Sequence, residues 1–346
     1  MTRRPLTQRR LVILSEGAFG VIDAKTAAAI IRYVPDNVVA VIDSTKAGRD
    51  TAEFLGYGAG IPIVASFDEA LAHRPDTLLI GIAPPGGGLP AAWRTTIATA
   101  LRHGLHIVSG LHDYLTDDPE FAAVARERGV DIWDVRRPPA DLSITEPNAR
   151  INAKVVLTVG TDCKVGKKIT AIELDRAACA AGMRSKFIAT GQTGVMLDGN
   201  GICVDSVVSD FIAGAAQRMV MEHHNDFDWL FVEGQGSLYH PAYSGVTLGL
   251  LHGSAPDALI LCHDVDLTHV KRYHVRIPPL SEVARAHELA AGWVKPCLVV
   301  GIALNCYQHS DEVACQFIEA TEAEAGLPTT DVVKFGATKL IEALRR

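Results

Sequence analysis

The chain has no cysteine framework. Its 346 residues hold seven cysteines, none spaced as C-x-x-C, and Cys262 and Cys297 lie within or beside apolar runs. An odd count without framework spacing reads as reduced thiols in a cytoplasmic protein. There is no basic excess either. Lys and Arg number 33 against 40 Asp and Glu, a formal net charge of −7, so no nucleic-acid partner is expected. No apolar run reaches membrane-spanning length and no leading stretch resembles a signal peptide, so no membrane partner is expected. Charged residues at 21% and apolar residues at 48% exclude a disordered chain. No G-x-G-x-x-G fingerprint follows the first apolar run, which removes the argument for dinucleotide binding there.

What is present is an alternation of apolar runs and helical patterns, long enough for two domains. Leu11–Leu14, Val38–Asp43, Thr77–Ala83, Leu105–Ser109 and Val130–Trp133 read as strands. The third is followed by Pro84-Pro85-Gly86-Gly87-Gly88 and a helix from Leu89 to about His103. A polar stretch with Pro147 then marks a boundary. A second set of strands follows at Val155–Val159, Lys186–Ala189, Trp229–Val232, Ala258–Cys262 and Leu298–Leu304, with a short last one near Val332-Val333 before a helix from Thr338. Nearly continuous apolar strands separated by helices imply parallel sheets buried on both faces. The expected architecture is α/β, with two doubly wound domains: a Rossmann-like one over 1–140 and a P-loop NTPase-like one over 153–346.

The second domain opens with the most specific signal in the chain, Gly160-Thr161-Asp162-Cys163-Lys164-Val165-Gly166-Lys167-Lys168. Strand, glycine-bearing turn, Gly-Lys and helix form a phosphate-binding layout. Glycine lets the backbone turn tightly round an anion, and the helix N-terminus adds partial positive charge. Gly160, Thr161, Asp162, Val165, Gly166, Lys167 and Lys168 are therefore expected to hold a phosphorylated ligand. Lys168 stands where a Ser or Thr would ligate Mg²⁺. A lysine has no hydroxyl to offer but adds a second cation, so a phosphate group bound without a metal is expected.

Other polar residues collect at the carboxyl ends of the second set of strands, the edge where ligands bind in open α/β sheets. Thr190-Gly191-Gln192-Thr193-Gly194 ends one, with Gln192 and Thr193 as candidate substrate contacts. Glu233-Gly234-Gln235-Gly236-Ser237 ends the next. Glu233 is a candidate general base or Mg²⁺ ligand, and His240 a second candidate for proton transfer. Asp205 and Asp210 either meet a substrate ammonium or cap the helix near Phe211. Arg276 lies in the basic run Lys271–Arg276, which suits a carboxylate or phosphate. In the first domain, Lys25 and Arg32 lie on the helix after the first strand; they supply substrate contacts if the edges of the two sheets face one cleft, and cap helices if not. His252, His263, His269 and His274 accompany Asp264 and Asp266, but their spacing matches no standard metal set, and no metal site is expected.

The loop resembles that of dethiobiotin synthetase, whose last position is Thr. Longer stretches resemble another family: Thr190–Gly194, Val207–Phe211, Glu233–Leu238, Tyr243–Gly253, Lys25–Ala27, Arg32-Tyr33 and Ile277–Leu280. Together with the loop they resemble the D-glutamate N-acetyltransferase family, a bacterial family long filed as a domain of unknown function. The resemblance implies a Rossmann-like domain joined to a P-loop domain, with acetyl-CoA as cosubstrate and D-glutamate or a similar acidic amino acid as acceptor. It also brings Tyr243 in as a substrate contact. Two alternatives stay open: an ATP- and Mg²⁺-dependent ligase or kinase of the dethiobiotin synthetase type, and a nucleotide-binding protein without catalysis. A homo-oligomer is also left open.

Overall fold

Branched and leucine side chains with no polar interruption make the centre of the first sheet. In the computed structural model, which describes residues 4–21, 23–82 and 87–346, every residue of β1 (Leu11–Leu14) and of the later strand Thr77–Ile80 is buried. Such strands need helices over both faces. The full set is β1, β2 (Val38–Ile42), β3 (Ile63–Val64), β4 (Thr77–Ile80), β5 (His106–Ser109) and β6 (Ile132–Asp134). They pair in parallel in the order β3-β2-β1-β4-β5-β6. The chain leaves β1 towards one edge and β4 towards the other, which makes their carboxyl ends a switch point. The third strand expected to reach Ala83 ends at Ile80; Ala83 and Pro84-Pro85-Gly86 lie outside the described residues.

The acid after β2 illustrates how that edge is used. In a dinucleotide site such an acid reaches a ribose. Here Asp43 is fully buried and accepts from the Phe19 N–H at 2.9 Å, the Thr45 N–H at 3.0 Å, Thr45 Oγ1 at 2.5 Å and Lys46 Nζ at 3.3 Å. Its carboxylate is engaged by the chain itself. Lys25 opens the helix Lys25–Tyr33, and Arg32, in its last turn, lies over the Tyr57 ring at 4.3 Å.

The second sheet comprises β7 (Lys154–Gly160), β8 (Ser185–Ile188), β9 (Trp229–Val232), β10 (Ala258–Asp264), β11 (Leu298–Asn305) and β12 (Thr329–Thr330). Its order is β12-β11-β10-β7-β9-β8, again parallel. Two six-stranded parallel sheets with helices, among the described residues, make this an α/β protein. Val156, Phe231 and Ile260 of the second sheet share a core with Leu174 of the helix Lys167–Ala180 and with Leu340 and Ile341 of the helix Thr338–Leu344. The last strand lies at Thr329–Thr330, ahead of the expected Val332-Val333. Asp331 accepts from the N–H groups of Cys306, Val333 and Lys334, which folds those two valines into a turn.

The chain divides into two compact units, Met1–Arg137 with Val195–Ser206, and Pro138–Gly194 with Val207–Arg346. The excursion 195–206 is held in the first unit. Arg136 pairs with Asp205 at 2.8 Å, and Ser206 Oγ donates to the Arg136 carbonyl at 2.5 Å.

Burial alone would raise the pKa of Asp43, but its four donors outweigh burial and leave it below the ordinary carboxylate value. A group whose folded pKa is depressed stabilises fully above its unfolded pKa, about 3.9, and loses that contribution as pH falls through the folded value. Asp43→Ala is expected to cost about 2–4 kcal/mol at pH 7. In urea titrations the gap between variant and parent should narrow only below about pH 4.

Candidate functional site

β7 ends at Gly160 and the helix begins at Lys167. Between them Lys164 and Gly166 adopt positive φ, 65° and 106°. Alternating conformations of this kind line successive N–H groups round an anion. β7 lies between β9 and β10, at the switch point of its sheet. Thr161 is fully buried; its Oγ1 meets His263 Nδ1 at 2.9 Å and its carbonyl accepts from Ser237 Oγ at 2.9 Å. Burial pulls His263 down to about 4, so this imidazole is neutral at physiological pH. Asp162, also buried, accepts from the N–H groups of Cys163 at 2.6 Å and Lys271 at 2.7 Å.

Two ammonium groups follow. Lys167 is buried, and its Nζ donates to the Asp162 carbonyl at 2.6 Å. Burial lowers its pKa, against the opposing pull of Cys163, Cys262, Asp162 and Glu233. Lys168 is partly buried. Burial lowers it too, and Glu233 is the charge that opposes the shift. The Lys168 ammonium makes no hydrogen bond or ion pair with any described residue.

Glu233 follows β9 and is buried. Its Oε2 accepts from the N–H groups of Thr190 at 3.1 Å and Gly191 at 3.2 Å, and its Oε1 from Gln235 Nε2 at 3.2 Å. The Thr190 hydroxyl donates to its carbonyl at 2.6 Å. The carboxylate rests so closely on the turn after β8 that a Cβ at Gly194 would run into Oε2. On the other side, the Gly234 N–H donates to Thr158 Oγ1 at 2.9 Å, and a Cβ there would collide with the Thr158 carbonyl.

His240 is buried. Its Nδ1 accepts from the Ala242 N–H at 3.1 Å, so in the neutral ring the proton sits on Nε2. Nε2 lies 3.9 Å from Asp162 Oδ1. The ring packs against Tyr243, centroids 4.5 Å apart, and edge-on to Tyr273 at 5.0 Å. Asp162, Cys163 and His240 form the one group among the described residues whose ligand atoms, within 4.8 Å of one another, could share an ion. With Nδ1 committed, a neutral His240 turns an N–H and no lone pair towards them. Of the four histidines grouped in the sequence, His252 meets the Ala290 carbonyl, His263 meets Thr161 and His269 meets Thr268, while His274 is exposed.

Of the remaining expected residues, Gln192 and Thr193 open the helix Gln192–Asp198. Thr193 is buried, and Gln192 Oε1 is buried with no hydrogen-bond partner among the described residues. Tyr243, half exposed, precedes the helix Ser244–Ser254. Arg276 is exposed on the loop after β10. Asp210 is exposed in a short turn, and the helix Ile212–Met221 has no side-chain cap, so Asp210 does not cap it. Asp205 is paired with Arg136 in the first unit, and it caps no helix near Phe211. Sequence reasoning passes over Thr158, and reads Gln235 and Lys271 only as members of a strand-end cluster and a basic run. Thr158 is visible as the one hydroxyl in an apolar strand; the backbone N–H of Lys271 gives no sequence signal.

Two family models match the chain: a domain of unknown function, the DUF1611 P-loop domain, over residues 143–341, and the Rossmann-like domain that precedes it in that family over 44–138. A relative from Tritonibacter scottomollicae named D-glutamate N-acetyltransferase is 39% identical over 93% of this chain and 94% of its own. One from a Pseudoalteromonas species with the same name is 36% identical over 81% and 84%. The crystal structure of a DUF1611 family protein from Anabaena variabilis superposes with a TM-score of 0.93 at 45% identity, covering 97% of this chain and 99% of that one. The chain belongs to this family, in which a Rossmann-like domain precedes a P-loop domain and whose members include proteins named D-glutamate N-acetyltransferase.

Proposed function

We propose that this protein is a cytoplasmic N-acetyltransferase that moves acetyl from acetyl-CoA to the amine of D-glutamate or a similar acidic amino acid. The names of both relatives support the reaction. The observation that carries the cosubstrate is Lys168, an ammonium without a hydrogen-bond partner among the described residues, held under the influence of the Glu233 charge. A metal-dependent phosphate loop keeps its Mg²⁺-ligating hydroxyl at this position. Here a built-in cation takes that place, which suits a diphosphate that is bound and not cleaved.

Acetyl-CoA supplies an acetyl group activated as a thioester. The chain's residues supply the grip. The N–H groups of the loop, Lys167 and Lys168 hold the diphosphate, and the Glu233 charge opposes the lowering of the Lys168 pKa by burial. Gln192 Oε1, buried without a donor among the described residues, accepts from an N–H of a ligand. The pantetheine arm is as long as four or five extended residues, about 15 Å. A diphosphate on Lys167 and Lys168 therefore places the thioester beyond groups that touch the loop. Glu233 and His240 then act as positioning residues: Glu233 fixes the turn after β8, and His240 turns its Nε2–H towards Asp162.

No helix among the described residues is long and apolar enough to cross a membrane.

Purified protein given acetyl-CoA and D-glutamate is expected to release free thiol, read with a thiol reagent. No release with any amino acid would overturn the transferase reading. Lys168→Thr should weaken CoA binding about tenfold to a hundredfold in calorimetry, the size of one lost charged hydrogen bond. Added Mg²⁺ should restore part of it. Glu233→Gln separates positioning from proton transfer. Positioning predicts a several-fold rise in the KM for acetyl-CoA. A fall in kcat of about 10²–10⁴ at constant KM would make Glu233 the general base instead.

A further inference from the structure

The segment after β10 is built as a small antiparallel hairpin. Val270 N–H donates to the Val275 carbonyl at 2.9 Å, Ile277 N–H donates to the Thr268 carbonyl at 2.9 Å, and His269 bridges to Arg276 through the backbone. The tip is fixed to the phosphate loop. The Lys271 N–H donates to the buried carboxylate of Asp162 at 2.7 Å, and the Tyr273 ring packs edge-on to His240. Lys271 Nζ turns to Asp264 at 3.9 Å. Arg272, at φ 69°, and Arg276 are exposed, and their guanidinium groups make no hydrogen bond or ion pair with any described residue.

The chain carries a net charge of −7, yet two guanidinium groups without anionic partners among the described residues sit on a hairpin pinned to the loop that already holds two ammonium groups. Lys167 and Lys168 account for one diphosphate. Coenzyme A has a second, separate anion, the 3′-phosphate on its ribose. A phosphate monoester near neutral pH carries close to two charges, and the guanidinium fork matches its oxygens in a way an ammonium does not.

We propose that the hairpin over residues 268–277 is a 3′-phosphate reader, in which Arg272 and Arg276 grip the ribose phosphate while Lys167 and Lys168 hold the diphosphate. This rests on the reading of coenzyme A as the ligand and adds how the protein tells it from other nucleoside diphosphates. A buried carboxylate, Asp162, couples the two halves of the grip, because the side chain that receives the Cys163 N–H in the loop also receives the Lys271 N–H in the hairpin.

Calorimetry with CoA and with 3′-dephospho-CoA tests it. The parent protein should bind CoA at least about tenfold more tightly than the dephospho form, as expected for charged hydrogen bonds to a phosphate. The double variant Arg272→Ala/Arg276→Ala should bind both about equally, at the parent's affinity for 3′-dephospho-CoA, and that retained affinity shows the variant is folded. Equal binding of the two ligands by the parent, or an unchanged preference in the double variant, overturns the reader. Failure of the parent to bind either ligand overturns the coenzyme A reading itself.

Discussion

The Glu233 carboxylate is the interaction on which the site depends. It ties the end of β9 to the turn after β8 through two backbone N–H groups, and it is the negative charge that acts on Lys168. A buried carboxylate is stable only when it is well supplied with donors, and a partly buried ammonium without hydrogen bonds is stable only near a countercharge. Backbone N–H groups and Gln235 supply the carboxylate, and its charge opposes the effect of burial on Lys168. Glycine at 194 and 234 permits the arrangement, since a side chain at either would occupy space taken by Glu233 Oε2 or by the Thr158 carbonyl.

Around that carboxylate the unit concentrates cations in a protein that is acidic overall. The balance is local: Asp162 is shared between the phosphate loop and the hairpin, and its carbonyl receives Lys167. The loop satisfies Lys167 on its own backbone.

Much of this is legible in the chain. The central strands can be read because nearly every residue in them is apolar, and the phosphate loop because its chemistry lies in nine consecutive residues. β3 and β12 escape a reading at their places, since two-residue strands carry no period. Gln192–Asp198 is hidden as a helix by the glycines around it. The Glu233 clasp is out of reach for a different reason. It joins the ends of β8 and β9, 43 residues apart for Thr190, and their adjacency is a property of strand order. The hairpin's pairing likewise depends on backbone groups in a basic run that otherwise reads as exposed loop.

The excursion 195–206 has a consequence for biosynthesis. Its buried residues, among them Met196, Cys203 and Val204, belong to the first unit but lie beyond the phosphate loop in the chain. Domains generally fold as units as they leave the ribosome, the amino-terminal one first. Here the first unit lacks part of its interior until residue 206 has emerged, by which time β7 and β8 are already outside the ribosome. The nascent chain thus holds an incomplete first unit while the first strands of the second wait for β9 and β10, and the two folding events overlap in time instead of following in sequence.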